Sequence, residues 1–407
     1  MLPKVPTLSV RPGRARRNVG RAPGFGVLMS DHVAPSGPAV DTIVVGAGIT
    51  GLRCAVGLVA AGQRVVVLEA RDRVGGRLWT APSDPSAPAV DLGATWFWPQ
   101  EPRVQSLIEE LGISVHPQRL EGDAVYEDPI GVQRLKGNPI DGPSGRFSPG
   151  AQALAEALAA RLPEGALQTF SPVHRLTVAD AGVEVGVGGT TLRAERAVVA
   201  LPPALAAADI AFDPALPEPL ATVAAATPVW MGSTAKVVLR YSRPFWRERG
   251  LAGAAVSHRG PLREVHDMSG PGGDPAALFG FASAPGPGPE GELSPRLVTE
   301  QLVRLFGPEA AEPESIQIVD WSREEWTSPG PPDPIPGGDP FRREASSSGP
   351  GPGPVTPRYD LYGHPVFQTP VHGRIHLAST ETARAFAGHI EGALMAADET
   401  AERILTG

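Results

Sequence analysis

An α/β fold is predicted for this chain, with a Rossmann-type dinucleotide-binding domain interleaved with a smaller α+β domain. Three observations carry that expectation. Residues 43–78, IVVGAGITGLRCAVGLVAAGQRVVVLEARDRVGGRL, spell a strand, a glycine turn, a helix and a second strand with an acid at its tip. Strand-rich stretches return at 173–201 and, as RIHLAS, at 374–379, and another block of strands lies between them from about 232 to 284. A chain of 407 residues, 42% of them hydrophobic, is long enough for two domains with a core each.

The first strand, 43–45, runs into Gly46-x-Gly48-x-x-Gly51 and then an apolar, helix-like stretch. Gly46 permits a tight turn, Gly48 lets backbone approach a diphosphate, and Gly51 lets the helix pack on the strand. The helix N-terminus then faces the phosphate charge. The second strand, 65–68, ends on Glu69, 18 residues past Gly51, where a carboxylate can accept the ribose hydroxyls of an adenosine. A glycine motif alone is weak in a chain with 48 glycines; the flanking strands and the spaced acid make it specific. Arg71, Arg73, Gly75, Gly76 and Arg77 follow at once, an arginine-bearing turn that nicotinamide-binding units do not need. It suits a larger dinucleotide with arginines close to its diphosphate, and the cofactor read from these features is FAD. Gly46, Gly48, Thr50, Gly51, Glu69, Ala70, Arg71, Gly76 and Arg77 are its expected contacts.

Further along, 88–98 is a short apolar segment, and a helix is expected near 104–111. Residues 121–150 are rich in Gly, Pro and Asp, with little periodicity. The alanine-rich run 151–162 reads as a helix stopped by Pro163, and 294–306 as an amphipathic helix. The stretch 329–357 is structureless by composition and carries no assigned chemistry. A helix from about 388 to 405 closes the chain.

Composition excludes several classes. A net charge of −8 with no basic aromatic patch argues against a nucleic-acid partner. No apolar run approaches bilayer length, so no membrane partner is expected. The one cysteine, Cys54, falls in the first helix as a buried core residue, which excludes disulfides within the chain. No metal site is expected. Residues 1–30 hold Lys4 and five arginines and no acid; Arg16-Arg17 resembles a twin-arginine signal but lacks the apolar stretch that must follow. Disorder is expected there, with Met29 as an alternative start and a cytoplasmic location.

Three more motifs resemble the flavin amine oxidase family, the monoamine and polyamine oxidases. They are Asp91-x-Gly93-Ala94-Thr95-Trp96, GSTAKVVLRYSRPFWRERG at 232–250 and STETARAFAGHIEGALMAADETAERI at 379–404. The resemblance covers nearly the whole folded chain and implies that Gly93, Ala94, Thr95 and Trp96 line the isoalloxazine ring. It implies further flavin contacts at Thr380, Glu381 and the backbone of Ile390, and a backbone contact to the adenine at Val173. Lys236, one of three lysines in a chain with 33 arginines, corresponds to the family lysine that holds a water against flavin N5. A compact ammonium suits that task better than a planar guanidinium. Trp321 and Trp326, in DWSREEW, match a segment that borders the flavin. His389 falls where relatives place one wall of an aromatic cage for the amine, usually a tyrosine. Trp96, Phe97 and Trp98 include both faces of a strand, so at most some of them face a substrate.

The activity so implied is oxidation of a primary or secondary amine by hydride loss to flavin N5, with reoxidation by O2 giving peroxide. An oxygen-independent flavin dehydrogenase or desaturase, and an FAD-binding protein with reduced catalysis, are the alternatives. No acid–base dyad is read in the sequence. The domain divisions are 1–38, a disordered or non-native extension; 39–98, 164–203 and 358–407, three parts of the FAD-binding domain; 99–163, a shortened helical or loop substrate segment; 204–328, the substrate domain; and 329–357, a Pro/Gly-rich loop. Where some relatives attach FAD through cysteine this chain has Gly330, so a non-covalent flavin is expected. Pro331 replaces one cage tyrosine. Only the 71 residues 99–169 separate Trp98 from Phe170, which leaves substrate entry more open or covered by the second subunit of a homodimer.

Overall fold

The structure, a computed structural model, describes residues 7–9, 40–82, 89–283, 293–329 and 358–407. Val40–Val45 runs through the middle of an eight-stranded sheet, where an uninterrupted apolar run belongs because both faces are covered. It is parallel to Val65–Leu68 on one side and to Thr190–Val199 on the other. Leu167–Gln168 extends the sheet beyond Val65–Leu68, and Ile375–Leu377 adds a second parallel partner to Thr190–Val199. Gly182–Val187 and Val173–Ala179 continue it as an antiparallel meander that ends on Ala211–Asp213. One sheet therefore draws on strands more than 300 residues apart in sequence, which is the interleaving in physical form.

The helix Ile49–Ala60 starts directly after Gly48, and its Leu52, Cys54, Ala55 and Leu58 are completely buried. Ile390–Thr406 packs beside it closely enough that a Cβ on Gly57 would lie 3.7 Å from that of Ala401. Val44, Leu52, Leu58, Leu394 and Ala397 share one core there. Each large aliphatic side chain so buried contributes about 1.5–3 kcal/mol. Cys54 sits inside it, its thiol pushed up to about 12 by burial.

The second sheet, also eight-stranded among the described residues, is mainly antiparallel. Its centre is Thr234–Tyr241 between Ser315–Asp320 and Ala276–Ser283, followed by Glu264–Asp267 and Leu251–Ser257. Pro295–Phe306 covers it, laying Val298, Leu302 and Phe306 against Val237, Leu239 and Leu278.

Several expectations need correcting. Asp123–Glu127 and Val132–Leu135 form a hairpin that extends the second sheet, in a region read as having little periodicity. Val132, Gln133 and Arg134 are exposed at the sheet edge, so the hairpin carries no two-residue apolar alternation to betray it. Thr7–Ser9, inside the stretch expected to be disordered, runs parallel to Ser315–Asp320. Pro203–Asp209 and Glu218–Ala226 are helices that alanine-rich sequence without clear periodicity had hidden. Gly330, Pro331 and the rest of the proline- and glycine-rich stretch through 357 lie outside the described residues, as do Arg16, Arg17 and Met29. No described helix is long and apolar enough to cross a membrane.

Candidate active site

A cavity of about 670 Å³ is lined from both sheets and from the N-termini of the helices Ile49–Ala60 and Ile390–Thr406. At one end is the glycine turn. Gly46 takes φ +100°, and a Cβ there would press on the carbonyl oxygen of Ala200 at 3.0 Å. A Cβ on Gly51 would lie 2.0 Å from Gly46 O, so this glycine seats the helix on the turn and does not border the cavity. This is the packing role that the third glycine of the motif was expected to play. Gly48 is the opposite: a Cβ there meets nothing within 4 Å and would occupy open space at the cavity wall. The helix that follows has no side-chain cap and no acid in its first turn. Its leading N–H groups and positive dipole end are therefore left for an anion. These features fit a dinucleotide diphosphate.

Glu69, 3% exposed, accepts the N–H groups of Ala47 at 2.8 Å and Arg71 at 2.9 Å. Each carboxylate oxygen keeps a second lone pair, so the ribose role remains chemically open to it. Ala70 and Val173 line the same end, with Thr50 at the helix start. Arg71 and Arg77 both border the cavity, and both are also engaged by protein carboxylates. Arg71 borders the cavity, but its guanidinium is held by Glu324 and Thr327. Arg77 is clasped by both oxygens of Glu381, at 2.6 and 3.0 Å. Arg73 lies 4.6 Å over the Trp79 ring, and burial, aided by Arg71, lowers it to about 10. Their charge is paired or stacked, so the phosphate cradle is mostly backbone. Gly76 borders it, and Gly75 N–H donates to Ala47 O at 2.8 Å, folding the arginine turn over the glycine turn.

Glu381 is wholly buried and stands behind Thr380 and Arg77, which border the cavity. Burial alone would raise its carboxyl, but Arg77 and the Trp230 N–H outweigh that and hold it below the usual carboxylate range. Its role is to fix Arg77 and the 230 loop.

At the other end Gly93, Ala94, Thr95 and Trp96 line the wall. Ala94 N–H donates to Arg77 O at 3.0 Å, and a Cβ on Gly93 would collide with that same oxygen at 1.9 Å. Lys236 reaches this wall from the second sheet. It is 1% exposed, donates to Gly93 O at 2.8 Å and Thr95 Oγ1 at 2.6 Å, and lies 4.4 Å over the Phe279 ring. Burial lowers its ammonium to about 7; Asp91 opposes that shift and Arg146 adds to it.

The aromatic side chains sort themselves by strand alternation. Phe97 turns away to Phe147, 5.1 Å between ring centroids. Trp96 and Trp98 line the cavity, Trp96 packed on His266 at 5.0 Å and Phe279 at 5.1 Å. Trp321 and Trp326 line it too, Trp321 tied by its indole N–H to Leu92 O at 3.2 Å. His389 and Ile390 border the cavity at the start of the closing helix, as does Thr380, whose hydroxyl accepts Gly388 N–H at 2.7 Å and donates to His389 O at 2.9 Å.

Sequence reasoning missed three residues here. Phe281 lines the cavity beside Lys236 because the two are cross-strand partners. Trp230 also lines it. Glu101, 1% exposed, lies 2.6 Å from His389 Nδ1, a carboxylate–imidazole pair that the sequence did not disclose. Only the register of the 234–241 and 276–283 strands could have disclosed Phe281; nothing local marked Glu101.

A fold that cradles a dinucleotide, with a buried lysine and an indole-lined chamber beyond it, defines a flavin-dependent oxidoreductase. The family described as flavin containing amine oxidoreductase matches residues 49–141 and 128–405, and the chain belongs to it. Putrescine oxidase of Kocuria rosea is 26% identical over 70% of this chain and 83% of its own. An L-amino acid dehydrogenase of Synechocystis is 25% identical over 92% of this chain and 96% of its own. The solved cyclohexylamine oxidase from Brevibacterium oxydans has the same fold, with TM-score 0.75 at 23% identity over 91% of this chain and 99% of that one. The protein is an enzyme that uses FAD, and the one cysteine of the chain is enclosed in the core between the helices Ile49–Ala60 and Ile390–Thr406, away from the cavity.

Proposed function

We propose that this enzyme oxidises a primary or secondary amine by hydride transfer to flavin N5 and returns the electrons to O2 as peroxide. Bound FAD supplies the two-electron acceptor; the protein supplies binding, orientation and a dry chamber. Gly46, Gly48, Thr50 and the helix N-terminus would hold the diphosphate, Glu69 the ribose, Val173 the adenine, and Gly93 to Trp96 the ring system. Trp96, Trp98, Trp321 and Trp326 would flank the amine.

The observation that carries this reading is Lys236. Placing an ammonium at 1% exposure lowers it to about 7, a cost that a merely structural strand position would avoid. Its two hydrogen bonds, to Gly93 and Thr95, aim it at the wall where the resemblance implies the flavin ring. There it would hold a water and support reoxidation by oxygen. The partners so implied are a small-molecule amine and O2.

The test is the visible spectrum of purified protein with a panel of amines under air. Bleaching with stoichiometric peroxide is expected, and denaturation should release all the yellow colour. Bleaching without peroxide would move the assignment to a dehydrogenase, as in the Synechocystis relative's name. Lys236→Met should slow the oxidative half-reaction by about tenfold or more while sparing flavin content; an unchanged rate with oxygen removes the role given to Lys236.

A further inference from the structure

We propose that Glu101 and His389 form a proton-accepting pair that deprotonates the substrate ammonium, with His389 touching the amine and Glu101 positioning His389. This rests on the amine-oxidation reading above. An alkylamine at neutral pH is an ammonium ion, whose nitrogen has no lone pair to support hydride loss from the neighbouring carbon. Something in the chamber must take that proton.

His389 Nδ1 lies 2.6 Å from Glu101 Oε1, and the other carboxylate oxygen accepts Trp98 N–H at 3.0 Å. With 1% exposure Glu101 has one orientation, set at the start of the helix Pro102–Leu111. A carboxylate only accepts, so in the neutral imidazole the hydrogen sits on Nδ1 and the Nε2 lone pair is left for a proton. Among the described residues Nε2 has no hydrogen-bond partner. The imidazole is one third exposed, borders the cavity and lies 4.9 Å from the Trp98 ring, tilted 50° to it; Trp98 is another wall residue. The neighbouring charges are already committed: Arg103 to Glu391 at 3.1 Å, and Arg77 to Glu381 at 2.6 Å. Lys236 lines the same cavity as a cation or a neutral amine on either side of about pH 7.

The step balances. The substrate N–H bond breaks with its electron pair left on nitrogen, and the proton forms Nε2–H; the new imidazolium charge faces the Glu101 carboxylate. The lone pair so freed would let the α C–H of the neutral amine leave as hydride to bound FAD, and water would hydrolyse the resulting iminium to a carbonyl compound and ammonium or a smaller protonated amine. A tyrosine in this position could not accept a proton at neutral pH, because its phenol already holds one with an ordinary pKa of about 10.

The experiment compares kcat/KM against pH for a simple alkylamine and a β-fluorinated amine that is neutral at pH 7, in wild type, His389→Tyr, Glu101→Gln and Glu101→Asp. For the alkylamine at pH 7, His389→Tyr should lose about a hundredfold, and the loss should close as pH approaches the amine's own pKa. The fluorinated amine should be nearly unaffected. Glu101→Gln should fall between these, and Glu101→Asp should recover part of the difference. In wild type the His389 ring Cε1–H signal should move to its imidazolium position when the alkylamine binds, and stay in place with the fluorinated amine. Equal losses for both amines, or an unmoved ring signal, overturn the pair while leaving amine oxidation intact. A wild type that oxidises neither amine overturns both. Flavin content and Tm establish folding, and if His389→Tyr fails that control Glu101→Gln decides.

Discussion

The end of the cavity proposed for the dinucleotide is made of backbone, and the end proposed for the amine is made of side chains. Around the diphosphate position stand the Gly46–Gly51 turn, an uncapped helix start and the Gly75 amide, while the nearby arginines are tied to Glu324 and Glu381. Around the chamber stand Trp96, Trp98, Phe281, Lys236 and His389, contributed by four separate stretches of chain. A backbone site depends on which residues lack a side chain, and that is written locally. A side-chain site depends on which distant residues meet, and that is written in the fold.

The largest effect separates two glycines three residues apart. Gly51→Val puts atoms 2.0 Å from Gly46 O, where nothing can give because the obstacle is backbone. Flavin and a cooperatively folded core should both be lost. Gly48→Ala adds a methyl group to open space, so the flavin-free protein should keep its Tm while FAD affinity falls at least about tenfold, by one misplaced methyl at the phosphates. Absorbance at the flavin band against protein, with Tm of the stripped protein, reads both. Gly48→Ala with wild-type flavin affinity would break the backbone half of the comparison.

Next comes the Arg77–Glu381 pair, in which Arg77 borders the cavity and Glu381 is buried behind it. Glu381→Gln leaves the Arg77 charge without its carboxylate and should cost about 3–5 kcal/mol of stability, with the flavin spectrum of the folded fraction unchanged. Because the Glu381 carboxyl is held below its ordinary value, its contribution is full above about pH 4.5 and is lost as pH falls through the lowered folded value. The Tm gap between variant and wild type should therefore narrow on acidification. A gap that widens instead reverses the assigned direction.

Legibility followed the same division. The strand at 43–45, the glycine turn, Glu69 and the helix after them stand where the sequence placed them, because turn chemistry and apolar runs are local. Lys236 was legible because a lone lysine in an apolar strand violates the pattern around it. The Asp123–Glu127 and Val132–Leu135 hairpin was not, since an exposed sheet edge needs no alternation. Nor was Glu101, whose importance arises only when the closing helix brings His389 from 288 residues away. Glu381 sat in a recognisable motif, but its pairing with Arg77, 304 residues away in the chain, could be read only from the fold.

Lys236→Met is the smallest effect and the one that sharpens the side-chain half. The lysine's folded value is about 7 against 10.5 for the ordinary side chain. Between those limits the unfolded chain binds a proton that the folded chain does not, so wild-type stability rises with pH across that window. Below pH 7 both states are protonated and the burial penalty is constant and complete. Methionine carries no such penalty, though it leaves Gly93 O and Thr95 Oγ1 without their donor, a pH-independent loss of about 1–3 kcal/mol. The sign of the stability difference at one pH is thus uninformative, and its slope is the test. In flavin-free protein the Tm of Lys236→Met minus that of wild type should be most positive at and below pH 7, then fall by a few degrees as pH approaches 10.5. A flat difference would mean that Lys236 reaches water after all, and with that the strongest argument for a lysine held against the ring would go.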